Sequence, residues 1–151
     1  MPLEDQFLEN KDIIRRLLAE VDRGNLDAID LFYAEDYFDH GPSAIRGPEK
    51  GRQSVRKALG LLHRAFPDTR HTIEDLIAEG DRVAARITAR GTHTGELLGH
   101  APSGRVVAQT SITIYRIEDG RIAERWSDHP QDILEQLGLP APEARSGSGS
   151  A

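Results

Sequence analysis

The sequence predicts an α+β fold in which helices segregate onto one face of a curved, mainly antiparallel sheet. Three observations carry this. The first third of the chain has apolar residues at helical spacing; the stretch from Arg70 to Asp128 switches to the alternation of strands; and tight-turn signals fall between those strands. A run of helices followed by a run of strands is the pattern of an α+β domain.

In chain order, Phe7, Ile14, Leu17, Leu18 and Val21 form one stripe of a first helix, with Lys11, Arg15, Arg16 and Glu20 between them. Gly24 suits the left-handed residue that ends it. Leu26, Ile29 and Phe32 suggest a short second helix running into Tyr33. The aromatic-rich segment after it is extended, and Gly41-Pro42 opens a loop. A third helix is expected from Pro48, with Val55, Leu59, Leu62 and Phe66 on one face and Pro67-Asp68 as its stop. Four strands follow. The first spans Arg70 to Ala78 and turns at Gly80-Asp81. In the second, Val83, Ala85, Ile87 and Ala89 alternate with arginines and threonine. The third runs from Val106 to Ile117 and is rich in Val, Ile, Thr and Tyr. Asp119-Gly120 is a tight-hairpin signal, and Arg121 to Asp128 returns as the fourth. Pro130 to Leu137 reads as a closing helix stopped by Gly138 and Pro140. Residues 1–140 are expected to form one pocket-bearing domain. Residues 141–151, which end in Ser-Gly repeats, have the composition of a flexible tail.

Composition narrows the function. A chain of 151 residues is long enough for a core and a cavity. A formal net charge of −6 argues against nucleic acid as the partner, since phosphate binding needs a basic face. With no cysteine, thiolate nucleophiles, disulfides and cysteine zinc sites are excluded. The acidic start, Met1-Pro2-Leu3-Glu4-Asp5, lacks an apolar core for a secretory signal, and no apolar run approaches a membrane span, so a cytoplasmic protein that does not engage membranes is expected. No serine has a nucleophile-elbow context, and glycine-rich phosphate loops are absent.

Seven segments in register carry a resemblance. They are Asp39-His40-Gly41-Pro42, Ala65-Phe66-Pro67-Asp68, Ile73 to Asp81, Gly91-Thr92-His93-Thr94-Gly95, Pro102-Ser103-Gly104-Arg105, Tyr115 to Gly120 and Glu124-Arg125-Trp126. Their order and spacing over about residues 5–139 resemble the SnoaL-like ester cyclases of the nuclear-transport-factor-2-like superfamily. The resemblance implies a cone-like α+β barrel, a homodimer or higher oligomer, and a pocket between helices and sheet. It also implies closure of polyketide rings by intramolecular aldol condensation without metal or organic cofactor. The family's acid/base aspartate follows the tryptophan on the last strand; here Ser127 holds that position and Asp128 comes next. A second polar position of the family, histidine in some cyclases, falls at Thr113.

Aldol closure needs a base beside a carbonyl and a donor for the developing oxyanion. Asp128 is the first candidate for acid/base work, because a carboxylate in an apolar pocket suits both tasks. Strand alternation pairs it with Trp126, so both line the pocket or neither does; a bulge would turn Ser127 and His129 inward instead. Asp128 could equally cap the helix that follows. His40, beside Asp39 at a loop mouth, and His93, between two glycines, are candidates to bind or polarise oxygen. Each could also be a loop histidine bonded locally. The expected lining is Phe38, Leu62, Phe66, Thr113, Tyr115 and Trp126, around a hydrophobic small molecule. His63 and His71 read as surface or satisfied histidines. No metal site is expected, because the histidines lie on separate elements. A ligand-binding protein without catalysis, on the same cone, is the alternative to an enzyme.

Overall fold

A computed structural model describes residues 2–41, 49–128 and 133–140. Helix α1 (Leu3–Asp22) is followed by a 3-10 turn (Leu26–Ala28), helix α2 (Ile29–Phe32) and strand β1 (Tyr33–Asp39). Strand β2 (Glu49–Lys50) leads into helix α3 (Arg52–Ala65). Strands β3 (Arg70–Glu79), β4 (Arg82–Thr92), β5 (Val106–Glu118) and β6 (Arg121–Asp128) follow, and α4 (Ile133–Gln136) comes last. No described helix is long and apolar enough to cross a membrane. The tail expected at 141–151, and the proposed helix starts at Pro48 and Pro130, lie outside the described residues.

The sheet has six strands in the order β2-β1-β6-β5-β4-β3, two more than the sequence reading of four. The additions come from the aromatic segment, expected to be extended but not counted as a strand, which pairs as β1, and from Glu49–Lys50, which pairs back on Phe38 and Asp39. That pairing also delays α3: Gly51, at φ 91° in the left-handed region, turns the chain out of β2 so the helix starts at Arg52. β1 runs parallel to β6, whereas the β3–β4–β5–β6 meander is antiparallel. In the β5–β6 turn Asp119 and Gly120 both have positive φ (51° and 76°), the requirement of the tight hairpin that their sequence predicts.

Ile13, Ile14, Leu17 and Leu18 of α1 pack on Val83, Ala85 and Ile87 of β4 and on Tyr115 and Ile117 of β5, which forms the main core. Each fully buried Leu or Ile contributes roughly 1.5–3 kcal/mol. A smaller cluster of Ala65, Phe66, Leu97, Val107, Leu134 and Leu137 closes the other end. There the chain after β4 touches the end of α3: the Thr94 and Gly95 N–H groups both donate to Ala65 O at 3.1 Å. A Cβ on Gly95 would lie 1.9 Å from Arg64 O, so only glycine fits this crossing.

Two bulges decide which side chains face the helices. In β3 the pairing skips Glu74, which leaves His71, Ile73, Leu76 and Ala78 as the inward set. In β6 the register passes from Ile117↔Ile122 to Arg116↔Glu124, with Ala123 as the extra residue. Ile122 and Ala123 are both buried, and the alternation then resumes in the opposite phase. Arg125 and Ser127 therefore point inward, while Glu124, Trp126 and Asp128 point outward.

Candidate active site

Between the helices and the concave face of the sheet lies a cavity of about 180 Å³. Leu17, Leu18 and Val21 of α1 and Leu59, Leu62 and Phe66 of α3 supply its apolar roof. The inward residues of β5, from Val107 through Gln109, Ser111 and Thr113 to Tyr115, form its floor. Four of the residues expected to line it therefore do: Leu62, Phe66, Thr113 and Tyr115.

One polar group sits on the β6 side. Thr113 Oγ1 and Ser127 Oγ are 3.0 Å apart and buried, on facing residues of the β5–β6 ladder. The two positions that the family resemblance singled out thus meet, but as two hydroxyls. Beside them Arg125 lines the cavity at only 5% exposure. Its Nη1 donates to both oxygens of Asp39 at 3.3 Å, from the adjacent parallel strand. Asp39 also accepts from Tyr37 Oη and from the Gly41 N–H, each at 2.8 Å. A buried charge needs such partners to be tolerated. Arg125 Nε is buried with no hydrogen-bond partner among the described residues.

A second polar group sits on the β3 side. His71 lines the cavity, and its Nδ1 is 2.5 Å from Asp22 Oδ1, while the His71 backbone N–H donates to Asp22 Oδ2 at 2.9 Å. His63 of α3 lines the same region, packed over Gly24 where a Cβ would come within 2.7 Å of its ring. The sequence reading treated both histidines as surface or satisfied. Asp22 and His71 are far apart in sequence, and only the packing of α1 on β3 joins them.

The remaining expected site residues lie elsewhere. Trp126 and His40 stack on the outer face of the sheet, ring centroids 4.7 Å apart and nearly parallel, with Phe38 edge-on to His40. His40 Nε2 is 2.6 Å from Glu124 Oε2, and Arg116 Nε donates to Glu124 Oε1 at 2.6 Å. These two partners, His40 foremost, hold the Glu124 carboxyl below its ordinary pKa. Asp128 is exposed on that same outer face, outside the cavity lining. The correction follows from the bulge at Ala123: counting by twos from Ile122 would send Trp126 and Asp128 inward, and the extra residue inverts the count. Asp39 is buried on the inner side and is not among the residues that line the cavity, whereas its partner Arg125 is. His93 is fully buried beside Phe66, against the smaller core cluster, and does not line the cavity. Its Nδ1 accepts the Ser103 N–H, which places the proton on Nε2. His129 lies outside the described residues. Among the described residues no group of three or more His, Cys, Asp or Glu side chains is placed to hold a metal ion.

The sequence pattern of the SnoaL-like polyketide cyclases matches residues 11–135. The chain belongs to this family. It is 30% identical over 136 residues to the aklanonic acid methyl ester cyclase AcmA of Streptomyces galilaeus, covering 86% of this chain and 91% of that one. It is 28% identical over 131 residues to the nogalonic acid methyl ester cyclase of Streptomyces nogalater, covering 84% and 96%. Among solved structures, IdmH of Streptomyces antibioticus, a candidate polyketide cyclase, superposes with a TM-score of 0.73 at 31% identity, covering 86% of this chain and 99% of that one. AclR of Streptomyces galilaeus, a candidate hydroxylase, gives 0.75 at 29%, covering 89% and 99%. The α+β cone with its helices on the concave face is therefore a SnoaL-like fold, and the protein is a cyclase of the SnoaL type. On the β6 side of the pocket, Thr113 and Arg125 line the cavity, each bonded to a partner behind it, Ser127 and Asp39.

Proposed function

We propose that this protein closes a ring in a hydrophobic carbonyl compound by cofactor-independent intramolecular aldol chemistry. The observation that supports this most directly is Arg125: a charged side chain held by a buried carboxylate, on the wall of an apolar cavity, with one N–H donor uncommitted among the described residues. An aldol closure generates an enolate oxygen and then an alkoxide. A fixed donor in a dry site stabilises such developing charge far better than water does, and costs no reorganisation at the moment of reaction. Thr113 and Ser127 add hydroxyls that can donate to the same region.

The cavity volume is close to the ~150 Å³ of an engineered apolar cavity that takes benzene. We infer that the site encloses the reacting end of the substrate, one ring or acyl arm, and that the rest of a larger polycycle extends beyond it. Incubation with aklanonic acid methyl ester and with nogalonic acid methyl ester, the compounds for which the relatives are named, tests the reading. At least one should convert to a product of unchanged mass and altered chromatographic retention, since an aldol closure is an isomerisation. Absence of both conversion and binding for either ester would remove the cyclase assignment.

We also propose a homodimer through the outer face of the sheet, where Ile77, Ile112 and Ile114 are exposed among arginines. A monomeric mass by light scattering at micromolar concentration would contradict it.

A further inference from the structure

Ring closure needs a base, and the position that would supply one by resemblance is occupied by Ser127, an alcohol bonded to Thr113. Asp39 is a poor substitute. Its oxygens already accept from Tyr37, Gly41 and Arg125, and an ion pair with arginine weakens a carboxylate as a base. Asp128 faces away from the cavity. We propose that His71 is the general base of this pocket and that Asp22 is the positioning residue that fixes its tautomer. The inference rests on the cyclase reading and deepens it.

The geometry is that of an oriented imidazole. Asp22 holds His71 at two points, ring Nδ1 and backbone N–H, so the ring's rotation is fixed as well as its proton. A carboxylate can only accept, so Nδ1 carries a hydrogen and, in the neutral ring, Nε2 holds the lone pair. Nε2 has no hydrogen-bond partner among the described residues. Both side chains are 17% exposed, dry enough for the pair to hold yet open to a ligand in the cavity. Asp22 is the last residue of α1, where the helix dipole disfavours a carboxylate. Its placement there is offset by the bonds to His71. The other ionisable groups near the pair are His63 of α3, Arg90 of β4, and Arg70, whose Nη1 donates to the Asp22 and Thr69 carbonyls rather than to the carboxylate.

The reaction balances as follows. His71 Nε2 takes the proton next to a carbonyl, and the C–H electron pair moves into an enolate whose oxygen lies toward Arg125. The enolate carbon attacks the second carbonyl carbon, forming the C–C bond. That carbonyl's π pair becomes an alkoxide, which recovers the proton from the imidazolium. Nothing is oxidised or reduced. Because β3 and β6 lie on opposite sides of β4–β5 in the sheet, base and oxyanion donor approach the ligand from two walls.

The test uses the whole protein and a carbon acid independent of any polyketide. 5-Nitrobenzisoxazole loses its C3 proton to a base, its N–O bond breaks, and a coloured cyanophenolate appears. The wild type should cleave it well above an equal concentration of free imidazole. His71→Gln should lower that rate by roughly 10²–10⁴. Asp22→Asn should lower it too, because an amide can donate to Nδ1 and reverse the tautomer, with the melting temperature nearly kept. In His71→Ala, added imidazole should restore activity, which a purely structural role for the ring would not allow. A wild-type rate no better than imidazole, an unchanged rate in His71→Gln, or a loss that follows His63→Gln alone would overturn the assignment. Benzisoxazole cleavage that depends on His71, with both methyl esters left unchanged and unbound, would support the base and overturn the cyclase reading.

Discussion

The two faces of β6 carry similar side chains to opposite ends. On the inner face Arg125 is taken out of water and tied to one buried carboxylate, Asp39. On the outer face Glu124 meets His40 and Arg116 in a network that water still reaches, and Arg82 lies over the Trp126 ring at 4.8 Å. The inner pair is costly to break and backs the cavity wall; the outer network is inexpensive and faces solvent. The difference comes from surroundings, not residue type, and the bulge at Ala123 takes up one extra residue so that Arg125 and Ser127 keep the inner face.

The largest expected effect tests the inner pair. Arg125→Met removes a buried cation that Asp39 pairs with and should destabilise the protein by about 3–5 kcal/mol in urea unfolding. Adding Asp39→Asn should recover most of that loss while leaving turnover low. A double variant no more stable than the single one would mean that the pair is not the unit described here. Next comes the bulge. Deleting Ala123 should leave Ile117 opposite Ile122 and Arg116 opposite Glu124, so Arg125 and Ser127 stay inward. The cost should be about 1–2 kcal/mol, that of one small buried residue. A crystal structure of the deletion with Trp126 in the cavity would break the comparison.

A smaller effect lies in the outer network. The Glu124 carboxyl titrates below its ordinary value of 4.5 in the folded chain. The stability it contributes is therefore complete above that pH and is lost as pH falls through the lower folded value. Urea unfolding between pH 7 and pH 3 should show this loss, and Glu124→Gln should flatten that part of the curve. Asp68, held low by the Thr92 N–H and hydroxyl, acts with the same sign. Smallest of all, Asp128→Asn should leave turnover unchanged and stability within about 0.5 kcal/mol. A large fall in turnover would return Asp128 to the mechanism.

What the sequence disclosed was whatever depends on neighbours. The stripe through Ile14, Leu17 and Leu18, the alternation from Val83 to Ala89, and the Asp119-Gly120 turn are local patterns, and each appears where expected. The two positions that the family register singles out, Thr113 and Ser127, face each other across a ladder. The arrangement around them was not legible. A bulge leaves no mark in the pattern Ile122-Ala123-Glu124, since an apolar pair followed by a charge reads as an ordinary strand. Nor does a spacing announce that Asp22 will meet His71, or Asp39 meet Arg125. Those contacts follow from α1 packing on β3 and from a parallel pairing of β1 with β6, both set by the tertiary fold.

That parallel pairing also governs when the Arg125 side of the site can form. As the chain is synthesised, β1 emerges with only a two-residue strand available beside it, and the Asp39 carboxylate has 86 positions to wait for its guanidinium. Until β6 arrives, the carboxylate stays hydrated and β1 lacks its main partner, because a contact so distant in sequence must first overcome the entropy of closing a long loop. The β3–β4–β5 meander, made of sequential hairpins, has no such delay. A nascent chain can therefore hold the α1, α3 and β3–β4–β5 parts of the cavity before the wall that carries Arg125 is in place, so that wall is the last to close.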